Sequence, residues 1–264
     1  MIDAAPPDRV RPSRTLSIEG LTLRFGGLTV LQSVDLAIAS GQVVGIIGPN
    51  GAGKTSLLNC IMGFYPPSAG RILLDGRDLR GLPPYRRVAL GLGRTFQEPQ
   101  LFNDQTLLEN IVAGTHVRAR TGFLRSLARP GSTRAEEAEF AAVAEGLLGR
   151  TGLADLGKRV VADLPYGLRK RAELARALAG DPSILLVDEP IAGLRHTEID
   201  SVKQVFRSLA GSGLGLVLIE HNVPFVMDVC DRVVVLNFGG VIADGTPRDV
   251  RNDPAVIAAY LGPS

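Results

Sequence analysis

Gly48-Pro49-Asn50-Gly51-Ala52-Gly53-Lys54-Thr55 is the stretch on which the fold turns. It fits G-x-x-x-x-G-K-[ST], with the apolar run Val43 to Ile47 before it and a helical pattern from Thr55 to about Met62 after it. Polyphosphate needs many donors at close range. Glycines let successive backbone N–H groups turn inward, and a helix start adds its positive end. Lys54 can reach the β and γ phosphates, and the Thr55 hydroxyl can ligate Mg²⁺. At a background glycine usage of about 7%, a chance match in a chain of this length is on the order of 1%. Gly48, Asn50, Gly51, Ala52, Gly53, Lys54, Thr55 and Ser56 are therefore the candidate nucleotide-binding residues.

Toward the C-terminus, Ile184-Leu185-Leu186-Val187-Asp188-Glu189-Pro190 is an apolar strand ending in two acids. In an open α/β sheet the carboxyl ends of the strands are where ligands sit. Asp188 can hold Mg²⁺ through a water, and Glu189 is placed to orient or deprotonate an attacking water. His221 follows the next apolar strand, Leu216 to Ile219, and emerges at the same edge, where it can sense a γ phosphate. Gln97 follows an expected strand over Leu90 to Phe96, and its amide oxygen can ligate Mg²⁺ or the lytic water.

The rest of the chain supplies the frame. Leu16, Ile18, Leu21 and Leu23, then Val34, Leu36 and Ile38, alternate around a Gly26-Gly27 turn and predict antiparallel strands with one wet face. From about Gln97 to Ala179 the sequence reads as helical, with helices at Thr106 to Thr115, at Thr133 to about Leu148 behind a Thr133/Glu136 capping box, and at about Gly167 to Ala179. A basic insertion, about 116–132, interrupts this region and reads as a solvated loop with a helical turn. Helices near Glu198 to Leu209 and Val223 to Cys230 then alternate with strands, as a parallel sheet covered on both faces requires. The expected fold is α/β: a P-loop core sheet, an antiparallel β subdomain and an α-helical subdomain. Residues 15–264 form one domain behind a flexible tail, 1–14.

Composition narrows the function. Of 264 residues 45% are hydrophobic and 31 are Gly, yet no apolar run approaches the roughly 18–20 residues of a spanning helix. Net charge is only +2, which makes no case for nucleic acid as the main partner. Two cysteines, Cys60 and Cys230, cannot form a disulfide framework and suit a reducing compartment. No apolar segment follows the Pro- and Arg-containing N-terminus, so it reads as neither signal peptide nor anchor.

Taken in order, Phe25 before a glycine pair, the glycine loop, Gln97, the segment Leu164 to Arg171, Asp188-Glu189 and His221 resemble an ATP-binding cassette ATPase, the nucleotide-binding subunit of an ABC transporter. The chain is most similar to the long-insertion ATPase of branched-chain amino acid importers, through Arg24-Phe25-Gly26-Gly27-Leu28, Glu189 to Leu194, Ala243-Asp244-Gly245-Thr246-Pro247 and Ala259-Tyr260-Leu261-Gly262. Importers of urea or short amides and a lipopolysaccharide-export ATPase carry similar text. The resemblance implies that Phe25 stacks on adenine, that Glu189, His221 and Gln97 are catalytic, and that Thr55, Gln97 and Asp188 hold Mg²⁺. It also implies that Pro165, Tyr166 and Gly167 cap the ATP of a second subunit in trans. The expected partners are transmembrane permeases docking near Gln97 to Phe102, and indirectly a periplasmic binding protein, at the cytoplasmic face of the inner membrane.

Two positions depart from the family. Leu164-Pro165-Tyr166-Gly167-Leu168 stands where Leu-Ser-Gly-Gly-Gln is usual, and Pro165 has neither hydroxyl nor N–H. Arg195 stands where Asp is usual. These departures favour pairing with a different ATPase over a homodimer, and leave open a catalytically weak regulatory subunit.

Overall fold

The computed structural model describes residues 13–118 and 130–261, except for the side chains at 130–134, 196, 197 and 261. The chain opens with the hairpin β1 (Thr15–Phe25) and β2 (Leu28–Ala39), followed by β3 (Val43–Ile47) and α1 (Lys54–Met62). β4 (Ala69–Leu74) and β5 (Arg77–Asp78) return to the hairpin and complete an antiparallel sheet of order β2-β1-β4-β5. After α2 (Pro84–Ala89) and β6 (Leu92–Arg94) comes the helical layer, α3 (Leu107–Thr115), α4 (Pro130–Arg150) and α5 (Tyr166–Ala179). The chain then alternates through β7 (Ile184–Asp188), α6 (His196–Gly211), β8 (Gly215–Ile219), α7 (Val223–Val229), β9 (Arg232–Asn237) and β10 (Gly240–Gly245), and ends with α8 (Pro247–Arg251) and α9 (Pro254–Leu261).

The second sheet has order β10-β9-β3-β8-β7-β6, parallel from β9 to β6 with β10 antiparallel at the edge. Its inner strands are apolar along most of their length because they face two cores. Val44, Ile46, Ile184, Leu186, Val217, Ile219, Val234 and Leu236 pack toward the antiparallel sheet and α1. Their neighbours Val43, Ile47, Leu185, Val187, Leu216, Leu218, Val233 and Val235 pack toward the helices on the other side. Period-two alternation thus sends successive residues into opposite interiors, which is why no polar residue interrupts β3, β8 or the first four residues of β7.

The expected P-loop sheet, antiparallel sheet and helical region are all present. Three local expectations change. β6 spans three residues rather than Leu90 to Phe96, because Leu90 caps α2 and Gly91 turns left-handed at φ 105°. α4 starts at Pro130, a residue suited to a first helical turn, so Thr133 lies inside the helix rather than at its start. Arg14, the last residue of the expected tail, is tied to the fold: its N–H donates to Ser40 Oγ at 2.7 Å, and its guanidinium meets Asp75 at 3.2 Å. Residues 1–12 of that tail and 119–129 of the expected insertion lie outside the described residues. Thr106 caps α3, exchanging hydrogen bonds with Glu109 in a capping box.

Candidate functional site

The parallel strands deliver their carboxyl ends to one edge, and α1 starts there. Gly51 and Gly53 take φ of 81° and 100°, and α1 has no side-chain cap and no acid in its first turn. The first N–H groups of a helix lack intrahelical acceptors, so an uncapped start beside a glycine loop presents donors and a positive dipole end to an anion. Gly48 is a glycine for another reason. A Cβ there would lie 2.0 Å from the Leu236 carbonyl, because the loop is pressed against β9. Ala52 is buried and its carbonyl accepts from Gly239 N–H at 3.1 Å, which ties the loop to the β9–β10 turn. Thr55 and Asn50 are exposed and Ser56 is half-buried.

Lys54 Nζ donates to the carbonyls of Gly48 (2.7 Å) and Pro49 (2.9 Å), so the ammonium lies across its own loop. Burial lowers its pKa, against the raising effect of Glu189 and Asp188. On β7, Asp188 is 4% exposed and meets the Arg94 guanidinium at 3.5 Å. Burial raises the Asp188 pKa, and Arg94 opposes that. Arg94 also donates to Asn59 Oδ1 at 2.6 Å and lies against the rings of Phe64 and Phe96, while its buried Nε has no hydrogen-bond partner among the described residues.

Glu189 is the centre of the arrangement. Its Oε2 accepts from Gln97 Nε2 at 2.9 Å and its Oε1 meets His221 Nε2 at 2.8 Å. Two residues, 92 positions before and 32 positions after Glu189 in the chain, therefore converge on its carboxylate. Phe25, at the β1–β2 turn, is 50% exposed and packs in a T-shaped pair with Tyr65, ring centroids 5.3 Å apart, so part of its ring is open to a planar group.

The segment before α5 behaves differently. Pro165 is the N-cap of α5 and Gly167 packs so closely that a Cβ would lie 2.7 Å from Leu194. The Tyr166 hydroxyl turns into its own chain and donates to the Gln97 carbonyl at 3.1 Å. Arg195 N–H donates to Glu198 at 2.9 Å, but a guanidinium has no acceptor to return, so only half of a capping box forms at α6.

Sequence reasoning missed the supports. Glu173, 2% exposed, accepts from the N–H groups of Phe96 (3.3 Å) and Gln100 (3.2 Å), one on each side of Gln97. Glu220, 4% exposed, accepts from Ile191, His221 and Asn222. The available signal was a pair of acids lying within otherwise apolar or helical patterns close to motif residues.

The family model of ABC transporter matches residues 31–192. The chain belongs to the ABC transporter ATP-binding family. A second model, branched-chain amino acid ATP-binding cassette transporter, matches residues 241–262 of this ABC ATPase. The chain is 42% identical over 248 residues to the high-affinity branched-chain amino acid transport ATP-binding protein BraF of Pseudomonas aeruginosa, covering 94% of this chain and 97% of that one. Identity to LivG of Escherichia coli, described in the same words, is 40% with the same coverage. Among solved structures, the ADP conformation of MJ1267, an ATP-binding cassette of an ABC transporter, superposes with a TM-score of 0.82 at 31% identity over 95% of this chain and 99% of that one. This ABC ATPase is the ATP-binding and ATP-hydrolysing subunit of a transporter, and among the described residues no helix is long and apolar enough to cross a membrane.

Proposed function

We propose that this subunit hydrolyses ATP with Glu189 as general base and thereby energises import of branched-chain amino acids. The observation that carries the chemical part is the Glu189 carboxylate, bound by Gln97 on one oxygen and His221 on the other. Gln97 and His221 fix the direction of the carboxylate, Glu189 takes the proton of the attacking water, and Lys54 with the α1 start holds the phosphates. Thr55, Gln97 and Asp188 would hold Mg²⁺. The donor set fits, with an exposed hydroxyl at the helix start, an amide oxygen and a buried carboxylate steadied by Arg94. When bound, the ion neutralises charge on the β and γ phosphates. Phe25 would stack on adenine.

The partner is a different ATPase subunit, with permeases docking on the face near Gln97 to Phe102, where Phe102 is 53% exposed, and with a periplasmic binding protein delivering substrate at the far side. Support for a heterodimer comes from Pro165, which contributes neither N–H nor hydroxyl to a nucleotide held opposite it. The chain would then lie at the cytoplasmic face of the inner membrane.

Glu189→Gln tests the chemistry. ATP binding should persist while hydrolysis falls about 100-fold or more; undiminished turnover removes Glu189 from the base role. For the substrate, the transporter reconstituted with its permeases and binding protein should hydrolyse ATP faster when leucine is supplied. Stimulation by urea or by lipopolysaccharide instead would reassign the cargo.

A further inference from the structure

Glu189 has a left-handed backbone, φ 47°. For a residue with a Cβ that conformation is strained, and it persists only where the surroundings over-determine it. Two bonds do so here. The Glu189 N–H donates to the Ile219 carbonyl at 2.9 Å, and the Glu189 carbonyl accepts from Lys170 Nζ at 2.6 Å. Lys170 is 7% exposed on α5, four residues after Tyr166 and three before Glu173, which puts all three on one stripe of the helix. That stripe holds the Gln97 carbonyl, the Glu189 carbonyl and the Phe96 and Gln100 N–H groups. The ammonium also lies 5.6 Å from the Tyr166 ring centroid. Burying an ammonium is costly, and an apolar side chain would fill the space without that cost.

We propose that Lys170 is a positioning residue for hydrolysis: its ammonium pins the carbonyl of the left-handed Glu189 and so sets the direction in which the carboxylate leaves the strand end, between Gln97 and His221. The inference rests on Glu189 being the base. Because Lys170 rides on the helix that starts after Pro165, a shift of that helix moves the clamp.

The test is steady-state ATPase and nucleotide affinity of the full-length chain assembled with its transporter subunits. Lys170→Met should lower kcat at least tenfold and leave the ATP Kd within twofold, and Lys170→Arg, which keeps a charged donor, should recover most of the loss. Added to Glu189→Gln, Lys170→Met should change the residual turnover less than twofold, since the group it positions is already disabled. Wild-type kcat in Lys170→Met overturns the clamp, as does an equal loss of kcat and affinity, or a further tenfold fall in the double variant. If Lys170→Met does not fold, Lys170→Gln is measured instead: an intermediate kcat with unchanged Kd supports the clamp, and parallel loss of both overturns it. Full turnover in Glu189→Gln would sink the base reading and the clamp together, whereas loss in Glu189→Gln with an unaffected Lys170→Met sinks the clamp alone.

Discussion

Replacing Glu173 should separate its role as an acceptor from its charge. One oxygen, Oε1, accepts both the Phe96 and the Gln100 N–H, at 3.3 and 3.2 Å, so a single atom holds the two sides of the loop that carries Gln97. Glu173→Ala leaves two N–H groups without that acceptor. Each such loss costs about 1–3 kcal/mol, and bonds this long belong at the lower end, which gives about 2–3 kcal/mol for the pair. At about 2–4 °C per kcal/mol for chains approaching this size, Tm should fall by about 4–12 °C. Turnover should fall as well, because Gln97 loses its tether. Glu173→Gln keeps an oxygen for both N–H groups and removes the buried charge.

The pH dependence has a definite sign. Burial raises the Glu173 pKa above its ordinary 4.5, although the two backbone bonds, Arg176 and Lys170 oppose the shift. The folded protein therefore binds the proton to higher pH than the unfolded chain. Wild type loses stability as pH rises from the ordinary value through the raised one, and Glu173→Gln does not. The Tm of the Gln variant relative to wild type should climb over that window and then level. Thermal melts from about pH 4.5 to about pH 8, paired with ATPase rates, measure both effects. An Ala variant that melts like wild type, or a Gln variant as unstable as Ala near neutral pH, would refute the reasoning.

Lys54→Met should abolish measurable ATP binding while leaving Tm unchanged or slightly raised, since burial lowers the Lys54 pKa and the charged form therefore costs the folded state stability; a nucleotide titration and a thermal melt read the two effects. Gly48→Ala should not yield folded protein, because the added methyl lies 2.0 Å from the Leu236 carbonyl. Gly51→Ala meets nothing within 4 Å, so it should fold with a loss of about 1–2 kcal/mol for its left-handed backbone, visible as a lower urea midpoint.

Legibility followed the kind of constraint. The glycine loop, Asp188-Glu189 and His221 were readable because polyphosphate chemistry demands particular residue types at strand ends, and the strand periodicity locates those ends. Gln97 was readable as a residue but not as a neighbour of Glu189, since no local pattern relates positions 92 apart. α5 was the hardest case. Arg169, Lys170, Arg171, Glu173 and Arg176 are charged and lie on more than one side of the helix, yet Lys170 and Glu173 are buried. Their spacing from Tyr166 marks one stripe, but which stripe of a charged helix turns inward depends on what waits there. What waits is a strand end carrying a strained carbonyl and a loop with two N–H groups to place. Apolar residues would cover that end at less cost. They would leave the Glu189 carbonyl and the Phe96 and Gln100 N–H groups unpaired, so burying one ammonium and one carboxylate is the form of packing that satisfies all three.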